Sequence, residues 1–420
     1  MNLVEHSAAE EMAAQLADAL ADPPVTDPAE RYGPDSPRWN GQSLSEGATG
    51  IAILHGVRAQ AGLSGWGRVR AWLSLATEEE VSAGPGAGLW HGAPALAFSL
   101  SVVVRPGEDD QLMKRLDTVV ASMTRSRLQA AEARMASAQR PDLGEFDLVH
   151  GLTGFGAFLL RRDPYGDLVR HVLAYLVRLT EPIPADDPAS DSVPGWWTLQ
   201  VPTGKPEDDF LGGHSDHGMA HGITGPLALL ATSKRAGVTV DGQMTAIDRI
   251  CAWLDTHHEE GPTGPWWPER LTHTELQKGR SSQGGPARPS WCYGAPGITR
   301  ALQLAGLALG DRTRQRKAEE ALLRCVTDPV QLNWLEGPSL CHGWAGVTAV
   351  TWFAAVDALT PALRDRLPFL MNSLIEHAHR KPSRSWTKPG LIDGTAGAAL
   401  ILHTIATQTT EGWERNLLIN

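Results

Sequence analysis

Apolar residues along this chain recur at three- and four-residue intervals, the period of helices packed on one face. Two kinds of segment alternate. One kind is apolar on nearly every side and rich in Ala and Leu: GIAILHGVRAQ from Gly50, GFGAFLLRR from Gly154, GPLALLATSKRAG from Gly225, GITRALQLAGLAL from Gly297, GVTAVTWFAAVDAL from Gly346 and GAALILHTIA from Gly397. The other is half polar, as in GDLVRHVLAYLVRLT from Gly166, MTAIDRICAWLDTHH from Met244, RQRKAEEALLRCV from Arg314 and RDRLPFLMNSLIEHAH from Arg364. A helix apolar all round is buried and a half-polar one lies at the surface, so the alternation predicts an inner and an outer helical layer. No run of alternating residues long enough for a sheet stands out. The N-terminal MNLVEHSAAEEMAAQLADAL reads as one more amphipathic helix, with Ser7 and Glu10 spaced as a capping box.

Each apolar run is preceded by a short glycine motif, and the motif returns seven times: SEGATG, WHGAPA, VHGLTG, AHGITG, CYGAPG, CHGWAG and IDGTAG. Their first glycines are Gly47, Gly92, Gly151, Gly222, Gly294, Gly343 and Gly394, and all but the second, which has Ala95, carry another glycine three residues on. Unequal spacing marks a fold repeat with insertions. Seven inner and outer helix pairs predict an all-α α/α toroid, a single domain over 1–420 with insertions at 155–215 and 258–287. In such a toroid the glycine turns open on one mouth, and the side chains before them converge there. A plainer reading, close packing of inner helices, is given most of the weight for Gly47, Gly92 and Gly394.

Bulk properties narrow the function. The formal net charge is -11 and no Lys/Arg-rich block occurs, which argues against nucleic acid or an anionic membrane as partner. No apolar run is long enough to span a bilayer and the N-terminus lacks the layout of a secretory signal, so a cytoplasmic protein that meets membranes only through partners is expected. Four cysteines are too few for a disulfide scaffold.

Two of the four, Cys292 and Cys341, stand two residues before a motif glycine in adjacent repeats, and His342 follows the second. Two thiolates and an imidazole suit Zn²⁺ and leave a fourth position open, as a catalytic zinc needs. Packed cysteines are the alternative; the repeat equivalence favours metal. Cys251 and Cys325 fall in half-polar helical segments and read as small buried hydrophobes.

With AHGITG, RPSWCYGAPG and CHGWAG together, the chain resembles the lanthipeptide cyclase (LanC-like) family over essentially its whole length, in its stand-alone class I form. The resemblance implies an α/α toroid with one zinc per chain held by Cys292, Cys341 and His342. The implied reaction is addition of a peptide cysteine thiol to dehydroalanine or dehydrobutyrine, closing lanthionine or methyllanthionine rings in lantibiotic biosynthesis. Its substrate is a dehydrated precursor peptide with a leader, and a dehydratase and an exporter are the implied partners. His221, Asp147, Arg288 and Tyr293 match further family positions. His221 is the candidate proton donor, Asp147 its orienting carboxylate or else a helix N-cap, and Arg288 a fixed positive charge near the developing enolate. Tyr293 either takes part or packs on the zinc site. His91, His150, His214 and His217 read as loop hydrogen-bonding residues. Rival readings are a LanC-like protein that adds glutathione, a non-catalytic peptide-binding protein, and a toroid glycosidase using Glu46 and Asp393.

Overall fold

The computed structural model describes residues 3–24, 41–103, 110–183, 192–202, 210–379 and 388–420. The chain divides into two compact units, residues 1–120 with 329–416 and residues 121–328 with 417–420.

The first unit contains α1 (Leu3–Asp18), α2 (Ala48–Gln60), α3 (Trp66–Ala76), α4 (Ala93–Val103) and the start of α5 (Asp110–Ala136). After the second unit the chain returns to it with α14 (Pro329–Leu332), α15 (Trp344–Asp357), α16 (Ala362–His379) and α17 (Thr395–Thr407). The apolar runs α2, α4, α15 and α17 are buried along almost their whole length. Ile51, Ile53 and Leu54 are fully buried, each contributing about 1.5–3 kcal/mol. Helices α3 and α16 cover α2 and α15 from outside, and α1 covers α17. The N-terminal helix is thus the outer partner of the last inner helix.

That packing corrects the expected capping box. Helix α1 already runs from Leu3, so Ser7 lies exposed inside it and caps nothing. Glu10 instead pairs with the buried Arg58 at 2.9 Å and meets His403 Nδ1 at 3.2 Å, tying α1 to α2 and α17. Burial of Ala9, Met12 and Ala13 against the inner layer extends the helix past the sequence signal.

The second unit holds the rest of α5, then α6 (Leu143–Phe146), α7 (Leu152–Arg162), α8 (Asp167–Leu179), α9 (Thr224–Arg235), α10 (Gln243–Thr256), α11 (His273–Lys278), α12 (Ala295–Leu309) and α13 (Arg312–Thr327). The inner row is α7, α9 and α12, each covered by the half-polar helix that follows it. Helix α8 shows why: Val169, Val172, Leu173 and Leu176 are buried while Asp167, His171 and Arg178 face out. The β structure among the described residues includes two small antiparallel pairs, β1 (His214–Asp216) with β4 (Arg270–Thr272) and β2 (Glu259–Gly261) with β3 (Gly264–Trp266). Three-residue strands are too short to print an alternation on the sequence. They matter because their register sets Asp216 opposite Arg270.

The motif glycines have a steric reason. At five of the second glycines a Cβ would meet the carbonyl oxygen six residues back: Leu44 at 2.2 Å from Gly50, Met219 at 2.7 Å from Gly225, Trp291 at 2.0 Å from Gly297, Leu340 at 2.1 Å from Gly346 and Leu391 at 2.0 Å from Gly397. At these five the loop before the inner helix folds back over its first turn, and a side chain there would collide with backbone.

Candidate active site and metal-ligand loops

Four of the seven loops share one organising position. Four residues before the motif glycine stand Ser43, Asp147, Ser290 and Ser339, whose side-chain oxygens accept loop N–H groups. Ser339 Oγ takes the N–H groups of Cys341 and His342 at 3.0 and 3.2 Å, and Ser290 Oγ takes that of Tyr293 at 3.1 Å. Adjacent loops are stitched through the backbone. In the second unit Leu148 N–H donates to Ala220 O at 3.1 Å, and Met219 N–H to Cys292 O at 2.7 Å. In the first, Cys341 N–H donates to Ile392 O at 3.1 Å and Ile392 N–H to Ser45 O at 2.9 Å.

This stitching lines up the residues just before the glycines. In the second unit the His150 and His221 rings stack with centroids 5.8 Å apart, and the Tyr293 ring lies 6.4 Å beyond His221. In the first unit His342 Nδ1 lies 3.9 Å from Asp393 Oδ1. The expected convergence of pre-glycine side chains therefore holds within each unit.

Asp147 sits in a position that Ser occupies in three other loops, and it does more than Ser can. Its Oδ1 accepts the N–H groups of His150 and Gly151 at 2.6 and 2.8 Å, while Oδ2 lies 2.7 Å from His221 Nδ1 and 3.4 Å from His150 Nδ1. Asp147 is not the N-cap of the following helix, which is Gly151; it organises the loop before that helix and faces His221. Burial alone would raise its carboxyl, but the hydrogen bonds and charge of the two histidines hold it below the ordinary value of 3.8. Burial alone would lower His221, but the hydrogen bond and charge of Asp147, with smaller help from Asp216 and Cys292, lift it above 6.5.

Sequence reasoning missed Asp216 and Arg270. Tyr293 Oη donates to Asp216 Oδ2 at 3.0 Å, Arg270 Nε donates to the same oxygen at 3.1 Å, and Arg270 Cζ lies 5.0 Å from the centre of the Tyr293 ring. Asp216 Oδ1 takes Gly218 N–H at 2.9 Å. Gly218 is fixed by its neighbours, because a Cβ there would lie 2.8 Å from both Cys292 O and the Tyr293 ring. Burial pushes the Asp216 carboxyl up despite Arg270, and both burial and the Asp216 charge push the Tyr293 hydroxyl up. Arg288 is exposed, and its charge reaches Glu269. A signal for Asp216 existed, an acid six residues before the motif glycine in HSDHGMAHG, but its partner lies 54 residues away in the insertion.

None of the four cysteines is in a disulfide. Cys251 and Cys325 are buried, and burial pushes both thiols up to about 12, which suits packing and not ligation. Cys292 and Cys341 are half-buried in equivalent loops, each two residues after a serine that organises the turn. Donor type, accessibility and local support fit a metal that prefers sulfur and nitrogen. Trp291 Nε1–H donates to Leu417 O at 2.9 Å, so the chain's last residues brace the Cys292 loop. Of the remaining motif histidines, His217 Nδ1 contacts Pro268 O at 2.9 Å and its Nε2 accepts from Trp253. His214 is buried, and desolvation lowers it to about 4.

These helices, repeat loops and residues define a class. The family model described as "Lanthionine synthetase C-like protein" matches residues 38–418, and the chain belongs to that family. "Nisin biosynthesis protein NisC" of Lactococcus lactis subsp. lactis is 24% identical over 277 residues, 62% of this chain and 60% of that protein. The aligned segment therefore spans less than two thirds of that relative. The solved structure "Nisin cyclase" superposes with a TM-score of 0.76 at 19% identity, over 98% of this chain and 96% of that one. The all-α toroid expected from the repeats is the fold of this chain. No helix among the described residues is long and apolar enough to cross a membrane.

Proposed function

We propose that this protein closes thioether rings, adding a cysteine thiol of a dehydrated precursor peptide to a dehydroalanine or dehydrobutyrine of the same peptide. The observation that carries this reading is the His221–Asp147 pair at 2.7 Å, in a loop whose Met219 N–H donates to Cys292 O. Family membership supplies the reaction class. Cys292, Cys341 and His342 are proposed to hold one zinc per chain, with Ser290 and Ser339 organising the ligand loops. When bound there, zinc supplies a deprotonated thiol at neutral pH, where a free thiol of pKa about 8.5 stays mostly protonated.

The chain's own residues do the rest. Attack at the β-carbon places negative charge on the enolate oxygen and calls for a proton at the α-carbon. His221, with Nδ1 turned to Asp147, offers that proton from Nε2, and the hydrogen bond and charge of Asp147 favour its protonated form. Asp147 fixes the ring and its tautomer. Tyr293 has its hydroxyl tied to Asp216, so it presents its ring beside His221 and is not the acid. Arg288, exposed in the loop leading to Cys292, is the proposed positive charge for the enolate. A leader-bearing precursor, a dehydratase and an exporter are the partners this reading implies, in the cytoplasm.

Cyclisation adds no atoms, so the test counts free thiols in a dehydrated precursor by alkylation over time against the spontaneous reaction. The wild-type protein with zinc should close rings faster than background, and Cys341→Ala should lose both the purified zinc and the acceleration. Rates equal to background, or a mass increase by glutathione in place of ring closure when that thiol is added, overturn the reading.

A further inference from the structure

Asp147 serves two histidines, and ring closure uses one. His150 is 55% exposed on its side chain, yet its Nδ1 is drawn to the same buried Oδ2 that His221 holds, at 3.4 Å against 2.7 Å. The longer contact lies outside the usual hydrogen-bond range of roughly 2.7–3.2 Å. It also matches the spacing of two ligands on one small cation: donors about 2.0–2.1 Å from a tetrahedral zinc stand about 3.3 Å apart. One ligand atom from each of Asp147, His150 and His221 lies within 4.8 Å of the others, all inside the second unit. The carboxylate is preset, because two backbone N–H groups occupy Oδ1 and leave Oδ2 aimed at both rings. Exposed His150 leaves room for water at the remaining position.

We infer that Asp147, His150 and His221 form a second, weaker site for a zinc-like divalent cation, which switches the proposed cyclase off when filled. This rests on the ring-closure reading for its consequence, not for the site. Two neutral imidazoles and a carboxylate are a recurrent zinc set. Loading needs the His221–Asp147 contact to open by about 0.6 Å to reach ligand spacing and releases the proton between them. The cation then occupies the nitrogen–carboxylate contact that positions the proton donor.

The experiment counts zinc per chain by equilibrium dialysis on the full-length protein, with no peptide present. The wild type should hold one zinc tightly and a second in excess zinc. His150→Ala should keep the first and weaken the second by more than the roughly 10–100-fold that losing an outer-shell partner costs. Cys341→Ala should keep the second and lose the first. Cobalt in place of zinc labels the two: thiolate charge-transfer absorption should saturate with the first equivalent and not grow with the second. One zinc at saturation in the wild type, an undiminished second zinc in His150→Ala, or thiolate absorption that grows with the second equivalent overturns the site. With peptide, the rate at one equivalent divided by that in excess zinc should rise toward the roughly 10²–10⁴ of a lost acid–base group in the wild type and stay near one in His150→Ala. A wild-type ratio near one, with two zincs bound, refutes the switch and leaves the ring-closure reading standing. No ring closure at any zinc level refutes that reading, and the switch with it, whatever the zinc count.

Discussion

At the scale of single residues, Asp147 is the most instructive. It takes a loop-organising position that is Ser43, Ser290 or Ser339 elsewhere, and its second oxygen adds a 2.7 Å contact to His221, the proposed proton donor. His221→Asn is expected to retain the zinc proposed at Cys292, Cys341 and His342 and to slow the proposed ring closure by roughly 10²–10⁴-fold, read as alkylatable thiols over time. Loss of the tight zinc in that variant would make His221 a ligand or its support. Asp147 also sets a pH dependence. His221 is held above 6.5, so its protonated form, and the stability it contributes, is full below 6.5 and fades as pH rises through the raised value. Asp147, held below 3.8, contributes above 3.8 and loses that contribution as pH falls. Asp147→Asn should therefore move the alkaline fall in rate to lower pH; a pH–rate profile with an unmoved alkaline limb contradicts the pairing. Tyr293 gives a third test. If its hydroxyl serves Asp216 and Arg270 and not the substrate, Tyr293→Phe and Arg270→Lys should slow the reaction by similar factors. Their combination should be no slower than either alone, and multiplying effects would show independent roles.

At the scale of elements, the glycine motif is a steric device that repeats because the same loop-over-helix packing repeats. Gly397 is the clearest case, with a Cβ position 2.0 Å from Leu391 O and 2.7 Å from Leu340 Cδ1. Gly397→Ala is expected to destabilise the protein by about 1–3 kcal/mol, the usual range for overpacking, measured as a lowered denaturant midpoint at unchanged slope. An alanine tolerated there without loss would mean that the loop shifts freely. The small β1–β4 pair works differently: three residues of register bring Arg270 to Asp216 across a long insertion.

At the scale of the whole molecule, the helices and the proposed zinc loops carry separate duties. The inner helices bury their apolar residues without help from any loop cysteine, and Cys292 and Cys341 are half-exposed at the helix starts. Stripping the metal with a chelator should therefore leave the far-ultraviolet circular dichroism of the protein nearly intact while abolishing ring closure. Collapse of the helical signal on chelation would assign zinc a folding role.

The sequence by itself determined the helical periodicity, the two classes of helix, the seven glycine motifs and the candidate residues within them, because each is written in local spacing. Helix burial follows from composition along a single segment, and motif equivalence from a fixed offset to glycine. Tertiary structure decided what depends on distant partners. It made α1 the cover of α17 through Glu10, Arg58 and His403, which overrode the local cap at Ser7. It gave Asp147 two histidines, one three residues away and one 74 residues away, and gave Tyr293 to Asp216 and Arg270. A side chain's protonation depends on who faces it after folding, and no spacing rule along the chain carries that information.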